Sequence, residues 1–195
     1  MKSCYVITFF IFLAITRGGT ETIVDLQGNF TEDDVESWIA SKFNSSSKIS
    51  ICNSTTIMGG VGNWQNNSTL TKKYNLTQPH NMIIIKLSLY MIDTLDNDDI
   101  FKLFVDENLI YTLNPTDFNN RPSDLCGIGT YKEEIYQMEI YLPHSKPEIK
   151  LTLTSDQDSN TDNEAWGFGD LMISSFISKI QTDLDGVLTS SSISS

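Results

Sequence analysis

The stretch Asn81–Asp106 reads N-MIIIKLSLYMI-DTLDNDD-IFKLFVD. Ile83, Ile85, Leu87, Leu89 and Met91 fall on one side of an extended chain, and Lys86, Ser88 and Tyr90 on the other. That period of two marks a strand with one face in a core. Seven residues of turn chemistry follow, including Asp93, Asp96, Asn97, Asp98 and Asp99. A second strand then begins, with Phe101, Leu103 and Val105 inward. The pattern predicts a hairpin-like β-corner whose tip is crowded with carboxylates. Such a tip is costly unless a cation or a solvated, spread-out geometry relieves the repulsion.

Outward from this corner, the same alternation predicts strands around Thr22–Leu26, Lys48–Cys52, Leu70–Leu76, Leu109–Leu113, Tyr131–Leu142, Ile149–Leu153 and Trp166–Ile173. Thr31–Phe43 admits two readings. Val35, Trp38, Ile39 and Phe43 have helical spacing behind a Thr31 cap, and a wide turn fits equally. Gly59, Gly60 and Gly62 precede Asn-rich loop sequence with no helix and no Lys-Ser/Thr after them, which excludes a phosphate-binding loop. Many short strands at even spacing with little helix define an all-β class, an antiparallel β-sandwich or jelly roll.

The first nineteen residues have the form of a secretory signal: Lys2, an apolar run Cys4–Ile15, then Arg17-Gly18-Gly19. An uncleaved anchor is the alternative, although about a dozen apolar residues fall short of the roughly 20 that span a bilayer. The expected division is a signal at 1–19, a sandwich at 20–176 and a Ser-rich tail at 177–195, with no membrane span after signal removal. Cys52 and Cys126 then form the single available pair, and a secreted compartment predicts a disulfide. Sequons at Asn29, Asn44, Asn53, Asn66, Asn67 and Asn75 predict glycosylation. The formal charge is −12, from 13 basic and 25 acidic residues, and loss of Lys2 and Arg17 takes it to −14. Such a balance argues against nucleic acid and anionic membranes as partners and favours divalent cations.

Two acidic loops stand out: Asp93–Asp99 with Asp106 beyond, and Asp156, Asp158, Asp162, Glu164 and Asp170. Calcium takes six to eight hard oxygens, which two such loops meeting at one end of a sandwich would supply; a solvated turn-forming cluster is the plain alternative. Asp156-x-Asp158-x-Asn160 opens like an EF-hand loop, but Thr161 and Gly167 occupy its sixth and twelfth positions. Ile92-Asp93-Thr94-Leu95-Asp96-Asn97-Asp98, Phe101–Asp106, Ser155-Asp156-Gln157 and Asn163–Asp170 together resemble the motifs of extracellular β-sandwich domains found in secreted ciliate and bacterial surface proteins. Cys52, Met58-Gly59-Gly60 and Pro79-His80 extend the resemblance over about residues 48–174. It implies a jelly-roll, galactose-binding-like or lectin-like domain that binds Ca2+ and is not catalytic. By position it implies Asp93, Asp96, Asp106, Asp156 and Glu164 as ligands, joined by Asp98 where the motif has Glu. Leu95, Asp98, Asn163 and Ala165 depart from the motif.

Enzyme readings lack support. His80 and His144 each follow Pro, where turn or surface roles predominate, and no G-x-S-x-G or H-E-x-x-H motif occurs. The expected function is a secreted, non-catalytic, calcium-stabilised module whose partner is a glycan or another extracellular protein. A structural surface or matrix component without small ligand is the alternative. A glycan site needs an exposed aromatic platform, for which Trp38, Trp64, Tyr74 and Tyr90 are the candidates.

Overall fold

The computed structural model describes residues 20–43, 47–96, 98–115, 125–127, 133–157 and 164–178, apart from the side chains of 65 and 66. The expected signal at 1–19, Asn44, and the tail beyond Ser178 lie outside these residues. Eleven strands are described: β1 Glu21–Asp25, β2 Ile39–Phe43, β3 Ile49–Cys52, β4 Thr55–Gly59, β5 Trp64–Asn75, β6 Met82–Asp93, β7 Phe101–Val105, β8 Asn108–Leu113, β9 Glu134–Pro143, β10 Glu148–Ser155 and β11 Glu164–Phe176. All pairings are antiparallel. One sheet runs β3-β4-β11-β6-β9 with β1 added on β11, and the other runs β2-β5-β10-β7-β8. The chain is an all-β, two-sheet sandwich. Among the described residues no helix is long and apolar enough to cross a membrane.

β6 and β7 belong to different sheets, which corrects the hairpin reading of Asn81–Asp106. β6 pairs with β11 and β9, and β7 pairs with β10 and β8. The corner therefore carries the chain from one layer to the other. Both strands turn their alternate residues inward. Ile83, Ile85, Leu87, Leu89 and Met91 meet Phe101, Leu103 and Val105 in one core with Trp166, Phe168, Leu151 and Leu153. Full burial of each such side chain contributes about 1.5–3 kcal/mol.

Thr31–Phe43 resolves as turns followed by β2. The amides of Asp34, Val35, Glu36 and Trp38 each bond three residues back. Asp34 Oδ2 takes the Thr31 amide and hydroxyl at 2.7 and 2.9 Å. The Lys48 ammonium donates to the carbonyls of Val35, Glu36 and Trp38 at 3.0, 3.4 and 2.7 Å, so these oxygens need no continuing helix. The Met58-Gly59-Gly60 passage is tight against Trp166. Gly59 has φ +88°, and a Cβ there would lie 2.5 Å from Trp64 and 2.8 Å from the Trp166 carbonyl.

Cys52 and Cys126 are disulfide-bonded with Cα atoms 4.7 Å apart. The bond anchors residues 125–127, between β8 and β9, over the outer face of the first sheet. There Cys52, Ile57, Tyr90, Ile92 and Ala165 form a second small core with Leu125 and Ile135 packed against it. Replacing both cysteines by serine should lower unfolding free energy by about 4 kcal/mol on the chain-entropy account. Urea denaturation reads this directly, and an unchanged midpoint would count against the bond as a stabiliser.

Candidate functional site

Two sheet crossings meet at one end of the sandwich. The β6–β7 corner and the β10–β11 loop are joined there by two registers. Glu164 lies directly opposite Asp93 in the first sheet. In the second, Ser155 lies opposite Phe101, and the Asp156 amide donates to the Ile100 carbonyl at 3.0 Å. This acidic pole holds five of the six residues that the motif resemblance implied as ligands. Asp158 and Asp162 lie outside the described residues.

Asp106 stands apart from this pole. It sits beyond the far end of β7 and opens the two-residue β7–β8 turn, where Asp106 and Glu107 have φ 49° and 70°. Both central residues at positive φ is the geometry of a tight hairpin turn, and Asp tolerates it well. Its Oδ1 accepts the Lys150 amide at 3.0 Å, and its Oδ2 pairs with Lys146 at 2.8 Å. Burial alone would raise its pKa, but these hydrogen bonds and nearby positive charge hold it below the ordinary carboxylate value. Asp106 thus lies away from the acidic pole and is engaged by the β9–β10 side of the fold.

Within the acidic pole the carboxylates divide by environment. Asp96 and Asp98 are exposed. Asp96 Oδ1 accepts the Asp98 amide at 3.0 Å, and Asp99 Oδ2 accepts the Asp96 amide at 2.6 Å. These are turn-closing roles. Asp156 pairs with Lys102. Leu95, at the position where the resembled motif carries Trp, is buried in the main core.

Asp93 and Glu164 are buried, and so is Glu133, a residue that sequence reasoning missed. Glu133 accepts the amides of Leu125 and Gly127, which ties it to the disulfide-bearing loop. A Cβ on Gly127 would lie 1.9 Å from Asp93 Oδ1 and 2.4 Å from Glu133 Oε1. Two buried carboxylates, one at the end of β6 and one just before β9, therefore close on the same glycine. The donor set is hard oxygen, which suits calcium. Among the described residues no group of three or more His, Cys, Asp or Glu is arranged to hold a metal. Nothing in the local sequence of Glu133 marks it, because its approach to Asp93 depends on the β6–β9 register.

All four proposed platform aromatics are buried: Trp38 at 1% exposure, Trp64 at 0%, Tyr74 at 6% and Tyr90 at 5%. Their rings serve packing. Trp38 and Trp64 meet Phe168 edge-on, with centroids 5.3 and 6.3 Å apart. The Tyr74 hydroxyl donates to Asp25 at 2.7 Å. Burial and the Asp25 charge hold its pKa well above the ordinary phenol value. Tyr90 lies beneath the disulfide-anchored loop. Among the described residues the exposed aromatic is instead Tyr141, at 57%, on the outer face of the first sheet. It stands in register with Ile84, beside the Lys86–Glu139 ion pair at 2.9 Å. Of the sequon asparagines, Asn29, Asn53, Asn67 and Asn75 are exposed.

No family model and no curated protein sequence matches the chain. Solved structures with a similar course include a family 35 carbohydrate-binding module from Clostridium thermocellum, at 8% identity and TM-score 0.45, covering 79% of this chain and 97% of that one. The K3 cleaved adhesin domain of Lys-gingipain from Porphyromonas gingivalis matches at 13% identity and TM-score 0.48, covering 80% and 99%. A CBM36 module in complex with calcium and xylotriose matches at 8% identity and TM-score 0.33, covering 78% and 97%. Likeness this distant leaves the functional reading to the chain's own residues.

Replacing Gly127 by alanine should destabilise the domain by about 1–3 kcal/mol, because the methyl must displace Asp93 or Glu133. Chemical denaturation of the variant reads the change, and wild-type stability would show that the two carboxylates do not close on this residue.

Proposed function

We propose that this chain is a secreted, glycosylated, non-catalytic β-sandwich module that a calcium ion stabilises at its acidic pole. The observation that carries the reading is the convergence of Asp93 and Glu133 on Gly127, with Glu164 opposite Asp93. Carboxylates gathered out of water are costly to hold charged, and a divalent cation between them would relieve that cost. Asp93 and Glu133 would be two of the ligands, with main-chain carbonyls and water among the rest. The bound ion would join the β6–β7 corner to the loop that carries Cys126. An oxidising compartment suits both the disulfide and the leader-like residues 1–19.

Calcium should raise the melting temperature of the full chain, and the chelator EDTA should reverse the rise. Asp93→Asn with Glu133→Gln should abolish the response while Asp106→Asn retains it. A rise that survives the double substitution would exclude this pair as ligands.

Glycan recognition is the second reading, favoured by Tyr141. The outer face around it combines an accessible ring with Lys86, Glu139, Thr22 and Ser174, and the last two share a hydroxyl hydrogen bond of 3.1 Å. A ring beside paired hydrogen-bonding groups is what a sugar site requires. On a glycan array, Tyr141→Ala should remove the signal and leave the calcium-dependent rise in melting temperature unchanged. An array silent with and without calcium would favour a structural component instead.

A further inference from the structure

The end of the sandwich opposite the acidic pole holds the two histidines of the chain, and they touch. His80 Nε2 and His144 Nδ1 are 3.0 Å apart. The ring planes differ by 7° and the centroids are 5.3 Å apart. The centroid separation exceeds the nitrogen separation by about two ring radii, so the rings meet edge to edge along one N–H···N bond. His80 lies in the β5–β6 connection and His144 in the β9–β10 connection, and each connection crosses between the sheets. The bond thus fastens two crossings together. Around it the amides of Leu76, Asn81 and His144 donate to the carbonyls of Pro147, Phe176 and Asn81.

The proton positions follow from the partners. His80 Nδ1 is 2.8 Å from the Gln78 carbonyl, which can only accept, so this nitrogen carries hydrogen. In a neutral ring Nε2 is then the acceptor, and His144 Nδ1–H is its donor. His144 Nε2 is buried without a hydrogen bond and faces Asp106 Oδ2 at 3.4 Å. A first proton has a place there, against the carboxylate. A second has none: on His80 Nε2 it would set one N–H against another.

We propose that His80 and His144 form an acid-sensitive clasp, closed while a single hydrogen lies between His80 Nε2 and His144 Nδ1 and open once both of these facing nitrogens carry one. The charged groups facing it are Asp106 at the β7–β8 turn, Lys146 in the β9–β10 connection, and Glu21 of β1, which lies within electrostatic reach of His80. Burial holds the His144 pKa below the ordinary imidazole value of 6.5, with Asp106 pulling upward and His80 downward. A group with a lowered folded-state pKa stabilises the fold above its ordinary value and loses that contribution as pH falls. The closed clasp is therefore weakened as pH falls below the ordinary imidazole value. Asp106, held low, loses its own contribution only in the more acidic carboxylate range.

Amide hydrogen exchange on the full chain tests the clasp between about pH 7.5 and about pH 5.5, the range in which imidazole titrates. After correction for intrinsic exchange, protection at Leu76, Asn81 and His144 should fall about tenfold, the factor that one pKa unit represents. Protection at Gly60 and Asp156, near the acidic pole, should not change. The double variant His80→Gln with His144→Gln should show no such pH dependence. Equal loss at both ends of wild type, no loss at either, or the same acid release in the double variant would overturn the proposal. If the double variant does not fold, the contrast between the two ends of wild type decides.

Discussion

The antiparallel ladder between β6 and β11 is the interaction on which the rest depends. It sets Trp166 and Phe168 opposite Met91 and Leu89, all within the main core. An inner face this apolar has to be covered, and the second sheet covers it with Phe101, Leu103, Leu151 and Leu153. The same register has a consequence at its end. Running Trp166 opposite Met91 brings Glu164 opposite Asp93, so the ladder that builds the core also sets two acids face to face.

The two ends of the sandwich solve the crossing problem with different chemistry. At one end the β6–β7 and β10–β11 crossings are dense in carboxylates, and the disulfide-anchored loop brings Glu133 up to Asp93. At the other, the β5–β6 and β9–β10 crossings are fastened by a pair of imidazoles, with Lys146 and Asp106 beside them. Calcium would act on the first end and protons on the second.

Much of the fold was legible in residues 81–106 because strand periodicity is local. The alternation of Ile83 through Met91 shows which residues share a face, and the structure buries that face. The hairpin reading failed because alternation does not say which sheet receives a strand, and a corner and a hairpin have similar turn residues. Asp106 misled for a related reason. An Asp after a strand serves a metal site or a tight turn equally well, and only its positive φ and its contacts with Lys146 and Lys150 separate the two. The aromatic platform failed because Trp and Tyr suit both cores and sugar sites, and exposure depends on packing from distant strands.

From the sequence by itself came the all-β class, the strand-forming alternation and the pairing of Cys52 with Cys126, since each rests on composition or on neighbours a few residues apart. Tertiary structure alone decided that β6 and β7 part into separate sheets, that Glu133 closes on Asp93 across Gly127, and that His80 meets His144. These juxtapositions join residues from connections and strands far apart in the chain. Their cause is strand register and sheet order, which are settled by how the two apolar faces fit together.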